Sequence, residues 1–255
     1  MKLKGKSAIV TGASSGMGRA IAYEYAREGA NVLAIARRRD KLDELVLSAG
    51  GLEGRIVAYE GDVTALDTIS HIFDEAIRDF GKVDILVNNA GIMDDFSGVG
   101  QVEEEMYARV FDINVKAPLF YMKEAVNYFK EVGGGIIINI ASIGGLNGGI
   151  AGAVYTASKH ALVGLSRNTA YMYGKENIRC NTICPGSVET EVGQGEFMQH
   201  IDKDGIECCG AVHQLIPKVA KSEAIATIAV FLASDDSAFI NGQNIVADGG
   251  WTAAF

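Results

Sequence analysis

A short apolar run, Ser7-Ala8-Ile9-Val10, leads directly into Thr11-Gly12-Ala13-Ser14-Ser15-Gly16-Met17-Gly18. Arg19 to Gly29 then has helical composition and ends on a glycine. Strand, glycine-rich turn and helix in succession admit few architectures, because the helix must return over the sheet as a crossover. Glycines let backbone approach a pyrophosphate, and a helix N-terminus offers free N–H groups and a positive dipole end. The spacing is Gly12-xxx-Gly16-x-Gly18 rather than G-x-G-x-x-G. The stretch predicts a nucleotide-binding turn made of Gly12, Ser14, Ser15, Gly16, Met17 and Gly18.

The alternation continues down the chain. Strands are predicted at 32–36, 55–60, 84–87, 135–140, 178–183 and 243–247. Helices are predicted at 40–49, from a cap near Thr64 to Phe80, at 101–112, 115–131, 153–173 and 221–233. Gly135 to Ile140 is nearly all β-branched, as suits a sheet covered on both faces. The expectation is an α/β fold, a Rossmann-like doubly wound parallel sheet of about seven strands with helices on both faces. With 255 residues, 48% hydrophobic, and no linker or charge run, the chain reads as one domain over 1–255. Only 187–217 loses the pattern; it is predicted to be a substrate-lid loop carrying Phe197 and Met198.

Ligands of open α/β sheets bind outside the carboxyl ends of the strands. At the second strand end, Ala36 stands where an acid usually holds the adenosine ribose, and Arg37-Arg38-Arg39 follow. Arginine suits a 2′-phosphate. NADP(H) is therefore expected over NAD(H), through Arg37 and Arg38; a solvated basic turn is the other reading. Asp62, followed by Val63, can accept from an adenine amino group or serve as a turn aspartate. Asn88-Asn89-Ala90-Gly91 ends the fourth strand, where asparagines can pin neighbouring strands and small residues leave room for a flat ligand. Asn114, between two helices, either satisfies backbone groups or kinks a helix around water. Ser142 ends the fifth strand.

Tyr155 and Lys159 are four residues apart and share a helix face. A free phenol, with a pKa of about 10, is a poor acid–base group at neutral pH, and a nearby ammonium favours the phenolate. The helix from Ala153 to Tyr173 has only Lys159 and Arg167 as permanent charges. A helix so apolar must be buried on most sides. With Leu119, Phe120, Tyr121, Met122 and Phe129 of the preceding helix, it predicts a homo-oligomer, and the apolar tail from Trp251 to Phe255 is expected against a neighbouring subunit.

The formal net charge of −9 argues against nucleic acid and anionic membrane as partners. No apolar stretch reaches the ~18 residues of a membrane span, and the N-terminus lacks signal-peptide flanks, so a cytoplasmic protein is expected. Cys180, Cys184, Cys208 and Cys209 have no CxxC spacing and no histidine at ligand distance, which reads as reduced thiols and no metal site.

These residues together resemble the short-chain dehydrogenase/reductase family in its ~250-residue form, from about Lys6 to Gly250. The glycine turn resembles its cofactor loop, and Asn88-Asn89-Ala90-Gly91 its sheet-stabilising motif. Asn114, Ser142, Tyr155 and Lys159 fall where that family keeps its catalytic four. The resemblance implies that Tyr155 exchanges a proton with the substrate oxygen and that Ser142 fixes this oxygen. It implies that Lys159 lowers the Tyr155 pKa and holds the nicotinamide ribose. It implies that Asn114 holds a water linking Lys159 to solvent. Further cofactor contacts are implied at Asp62, Val63, Asn89, Ala90, Gly91, Pro185, Gly186, Val188 and Thr190.

The implied activity is an NADP(H)-dependent interconversion of a secondary alcohol and a ketone, with a steroid or other hydrophobic or cyclic ketone as substrate, in a tetramer. A 3-oxoacyl-carrier-protein reductase is the alternative. It needs a basic entrance for an acidic carrier, whereas 187–217 has Lys203 alone against Glu189, Glu191, Glu196, Asp202, Asp204 and Glu207. A catalytically silent nucleotide-binding regulator is the third reading. The presence of Ser142, Tyr155 and Lys159 counts against it.

Overall fold

The computed structural model describes residues 1–191 and 200–254. Seven parallel strands form one sheet: β1 (Ser7–Thr11), β2 (Asn31–Ala36), β3 (Ile56–Glu60), β4 (Ile85–Asn88), β5 (Gly135–Ile140), β6 (Ile178–Pro185) and β7 (Asn244–Ala247). Their order is β3-β2-β1-β4-β5-β6-β7. The winding direction reverses between β1 and β4, so a crevice opens at their carboxyl ends. This is the Rossmann-like doubly wound sheet expected from the sequence.

Side chains of a strand alternate between faces. Ala8 and Val10 therefore join one core with Ile21, Tyr25, Leu42, Ile225 and Ala229. These lie on or beside α1 (Gly16–Arg27), α2 (Arg39–Ser48) and α8 (Ser222–Ala233). Ile9 points the other way, into a core with Ile72, Phe73, Tyr121 and Phe129. That face is covered by α3 (Ile69–Phe80), α5 (Ala117–Val132) and α6 (Ala153–Tyr173). The hydroxyl of Tyr25 donates to the Ala229 carbonyl at 3.0 Å and ties α1 to α8.

Four local expectations need correction. The helix predicted to be capped at Thr64 begins only at Ile69, after a short 3₁₀ turn; Thr64 instead donates its N–H and hydroxyl to Asp62. The two helices predicted around Asn114 are α4 (Glu104–Phe111) and α5, joined without a break by a π turn over Asp112–Lys116. The expected loop at 187–217 contains α7 (Lys203–His213), whose N-terminus is capped by Asp202 accepting from Gly205 N. Phe197 and Met198 lie outside the described residues. Trp251, expected against another subunit, is 3% exposed and packs in its own chain with Ile143 and Ile150. Its indole donates to the Val212 carbonyl at 2.8 Å.

Of the five α5 residues expected at a subunit contact, Tyr121, Met122 and Phe129 belong to the core, and only Leu119 and Phe120 are exposed. Tyr171 and Met172, in the last turn of α6, are exposed as well. No helix among the described residues is long and apolar enough to cross a membrane.

Candidate active site

The glycine turn connects β1 to α1 at the point where the sheet reverses. Gly12 has φ of +67°, and a Cβ there would lie 2.8 Å from Asn89 Nδ2. Gly18 opens α1 so close to the turn that a Cβ would meet the Gly12 carbonyl oxygen at 2.3 Å. Side chains are thus excluded from a concave backbone surface. Among the described residues no side chain caps the first turn of α1, whose N–H groups can therefore meet an incoming anion. Predicted to start at Arg19, the helix begins at Gly16, so Gly16, Met17 and Gly18 already belong to that N-terminus. This cradle fits a dinucleotide pyrophosphate.

The turn is held from β4. Thr11 Oγ1 accepts from the N–H groups of Asn89 (3.0 Å) and Ala90 (3.1 Å), and Asn89 Nδ2 donates to the Thr11 carbonyl at 2.9 Å. Asn88 and Asn139 are register partners, and Asn88 Nδ2 donates to Asn139 Oδ1 at 2.8 Å. The asparagines do pin neighbouring strands.

At the β2 end, Ala36 is buried and Arg37 and Arg38 are exposed. Arg38 Nη2 donates to Ser14 Oγ (3.0 Å) and Ser15 Oγ (2.9 Å), and Nη1 lies 2.8 Å from Glu191 Oε2. Burial pushes the Asp62 carboxyl up, but its bonds from Thr64 and the charge of Arg37 outweigh this and hold it below the usual range. Val63 packs on the core beside it. Gly186 donates its N–H to the Ala247 carbonyl, Val188 bridges to Ala220, and the Thr190 methyl faces Gly16. Pro185, at the end of β6, is buried just before them.

Ser142 follows β5 and takes the N-cap of a short 3₁₀ turn, its Oγ accepting from Gly144 N at 3.0 Å. Its hydroxyl acts on the Tyr155 phenol and favours the ionised form. Lys159 Nζ lies 5.5 Å from the centre of the Tyr155 ring and donates to the Ile140 carbonyl at 3.1 Å. Gly91 leaves the room this needs, since a Cβ there would meet Lys159 Nζ at 3.2 Å and Asn114 Oδ1 at 3.3 Å. The π turn aims Asn114 inward, where Oδ1 accepts from Ile92 N and Nδ2 donates to Ile92 O and Ser158 Oγ. The sequence-predicted four are thus gathered in one place.

Their electrostatics differ from expectation. Burial pushes the Tyr155 phenol up to about 12, against the lowering effect of the Ser142 hydroxyl, and the neighbouring Asp94 adds to the rise. Burial brings the Lys159 ammonium down to about 8. Lys159 was expected to lower the phenol; here desolvation outweighs any such effect, and at neutral pH Tyr155 is a protonated acid.

Several residues at the site escaped sequence reasoning. Phe96, with Ala151, Cys209 and partly buried Met93 and Ile201, packs with Tyr155. Phe96 has φ of +68°, a conformation a bulky side chain adopts only when its surroundings impose it. His213 stands edge-on to both Phe96 and Trp251 and bonds the Ile150 carbonyl at 2.8 Å. Asp94, 1% exposed, accepts from the N–H groups of Phe96, Gly152 and Tyr155. The only visible signal was an acidic pair, Asp94-Asp95, just past a strand end.

Comparison with known proteins places this geometry. A family model described as enoyl-(acyl carrier protein) reductase matches residues 12–252. The chain belongs to the short-chain dehydrogenase/reductase family. Within that family it is 37% identical to 3beta-hydroxysteroid dehydrogenase 2 of Eggerthella lenta over 252 residues, covering 98% of this chain and 96% of the relative. A short chain dehydrogenase from Mycobacterium paratuberculosis, bound to NAD, superposes with a TM-score of 0.90 at 32% identity, covering 99% of this chain and 100% of that one. A structure carrying the name of an NAD(P)-dependent gluconate 5-dehydrogenase from Beutenbergia cavernae, with NADP at low occupancy, gives 0.84 at 35% identity, covering 99% and 98%. The short-chain dehydrogenase/reductase assignment makes this chain a nucleotide-binding oxidoreductase whose structural neighbours hold NAD or NADP.

Proposed function

We propose that the enzyme interconverts a secondary alcohol and a ketone with NADP(H), and that its substrate is a hydrophobic ketone such as a steroid or another cyclic ketone. The reading rests on one observation: the Tyr155 phenol, on which the Ser142 hydroxyl acts, packs against an apolar wall made of Phe96, Ala151 and Cys209. A polar pair under an apolar wall suits a flat, mostly hydrocarbon molecule with a single oxygen.

Gly12, Ser14, Ser15, Gly16, Met17 and Gly18 receive the pyrophosphate, Arg37 and Arg38 the 2′-phosphate, and Asp62 and Val63 the adenine. Asn89, Ala90, Gly91, Pro185, Gly186, Val188 and Thr190 line the nicotinamide end. When bound, a nicotinamide cofactor supplies the hydride chemistry. Ser142 holds the substrate oxygen, and Tyr155 gives it a proton in reduction or takes one in oxidation. Lys159 holds the ribose hydroxyls and returns the proton to Tyr155, and Asn114 keeps the lysine in reach of solvent. A phenol protonated at neutral pH favours the reductive direction there. The segment 187–217, including α7, serves as the substrate lid of a single domain, and Leu119, Phe120, Tyr171 and Met172 meet a second copy within a tetramer.

The 3-oxoacyl-carrier-protein reductase reading has in its favour a relative of that name from Thermotoga maritima, 34% identical over 251 residues. Against it, Lys203 is the one cation of the sequence from 187 to 217, and Asp202, Asp204 and Glu207 stand with it at the start of α7. The test is NADPH oxidation over a panel of steroid, cyclic and acyl-thioester ketones, with Tyr155→Phe as control. Turnover of hydrophobic ketones that disappears in Tyr155→Phe, with cofactor affinity kept, supports the proposal. Activity retained in Tyr155→Phe, or turnover of the acyl thioester alone, refutes it.

A further inference from the structure

The first N–H groups of a helix have no partner within it. At α6 the N-cap residue is Gly152, which has no side chain to offer. Asp94, on the segment after β4, takes its place. Its Oδ1 accepts from Gly152 N at 3.2 Å and its Oδ2 from Tyr155 N at 2.8 Å. Between them, Ala153 N donates to the Ser97 carbonyl at 2.9 Å. A Cβ on Gly152 would lie 2.5 Å from Asp94 Oδ2, so the glycine is what admits the carboxylate. A negative charge here also meets the positive end of a 21-residue helix dipole.

We propose that Asp94 is a positioning residue for catalysis: a capping carboxylate delivered from the β4 side of the cleft, which fixes the backbone of Tyr155 itself. The inference rests on Tyr155 being the acid–base group of the proposed function. It gives the segment after Gly91 a second task. Ile92 is held by Asn114, Asp94 holds Tyr155, and the Asp95 carbonyl accepts from Asp202 N at the start of α7. One short strip thus spans the cofactor end, the acid–base group and the lid helix. Asparagine cannot replace the aspartate, because all three of its contacts are N–H donors and one amide end would face them as another donor.

The groups facing Tyr155 are Lys159 from its own helix, Ser142 after β5, Cys184 from β6, Cys209 from α7 and Asp94. Asp95 is the charged neighbour that acts on Asp94 itself. The test is Asp94→Asn, with cofactor affinity as the check on folding and Tyr155→Phe in parallel. We expect kcat to fall ~10- to 100-fold, as a small misplacement of a reacting group costs. The ketone KM should change less than about threefold, since uniform binding is untouched. The alkaline limb of the reduction profile should move to lower pH, because a negative charge beside the phenol has gone.

Unchanged kcat, a loss confined to KM, or a lower kcat with an unmoved limb overturns the proposal. If Tyr155→Phe retains turnover, the proposed function falls and this inference with it; a dead Tyr155→Phe beside an unaffected Asp94→Asn sinks this inference alone. Should Asp94→Asn not fold, amide hydrogen exchange in the wild-type protein decides. Slow exchange at Gly152 and Tyr155 supports the cap, and rapid exchange there overturns it.

Discussion

Arg38 and Glu191 face each other across the mouth of the nucleotide cradle, Nη1 to Oε2 at 2.8 Å, while the other end of the guanidinium rests on Ser14 and Ser15. The arginine is held in place by a carboxylate that competes with any phosphate. Both side chains are about half exposed, so the pair is worth under about 1 kcal/mol. Glu191→Gln should therefore lower the KM for NADPH ~2- to 5-fold and leave that for NADH unchanged. Arg38→Ala should raise the KM for NADPH ~10- to 100-fold, the worth of a charged hydrogen bond, with little effect on NADH. Steady-state kinetics with both cofactors checks this; equal effects would remove the NADP(H) preference from the reading.

Gly18→Ala makes the opposite prediction. Its Cβ would meet backbone, the Gly12 carbonyl oxygen at 2.3 Å, and no rotamer change relieves that. Both cofactors should weaken alike, by ~100-fold or more, or ~3 kcal/mol. Fluorescence titration of each cofactor separates this general loss from the selective one at Arg38.

Lys159 is a stability cost carried at the candidate site. It is 4% exposed, and burial lowers its pKa from 10.5 to about 8. Below pH 8 it is charged both folded and unfolded, and the folded state bears the whole desolvation penalty. Between pH 8 and 10.5 the folded form sheds its proton first and the unfolded chain binds more, so stability rises with pH through this window. Lys159→Met should abolish turnover yet stabilise the fold by up to about 3 kcal/mol at pH 7, the gain fading above pH 8. Thermal melts across pH test both halves; a gain that persists at pH 10.5 would argue against buried charge as its source.

Asn139 offers a purely structural counterpart. Its Oδ1 accepts from Asn88 on β4 and its Nδ2 donates to Ser166 Oγ on α6 at 2.7 Å, all three buried between the sheet and that helix. Asn139→Leu strands a buried amide and a hydroxyl lone pair, and should cost about 2–4 kcal/mol. A urea titration should show a lower midpoint with an unchanged slope.

What could be read from the sequence, and what could not, follows from the range of the forces involved. Gly135 to Ile140 and Ala153 to Tyr173 have the predicted boundaries, because a β-branched run and a long apolar helix are local patterns. Arginines at the β2 end and glycines at the β1 end were legible for the same reason. Lys203–His213 was not, since Gly205 and Gly210 interrupt it and only Cys209 is buried. Asp94 was beyond reach, because its partner Tyr155 is 61 residues away. The burial of Tyr155 was not legible either: spacing shows a lysine nearby, but not the desolvation that pushes the phenol up.

The π turn over Asp112–Lys116 has a consequence for how this region tolerates change. Such a turn accommodates one residue more than the α-helical ladder. Each residue of an α-helix advances the face by about 100°. Deleting a single residue anywhere between Glu104 and Phe111 would let the ladder heal into an uninterrupted helix, better bonded than before. It would also rotate Asn114 away from Ile92 and Ser158. The helix is kept imperfect at one point so that one amide faces inward, and its repair would be the loss.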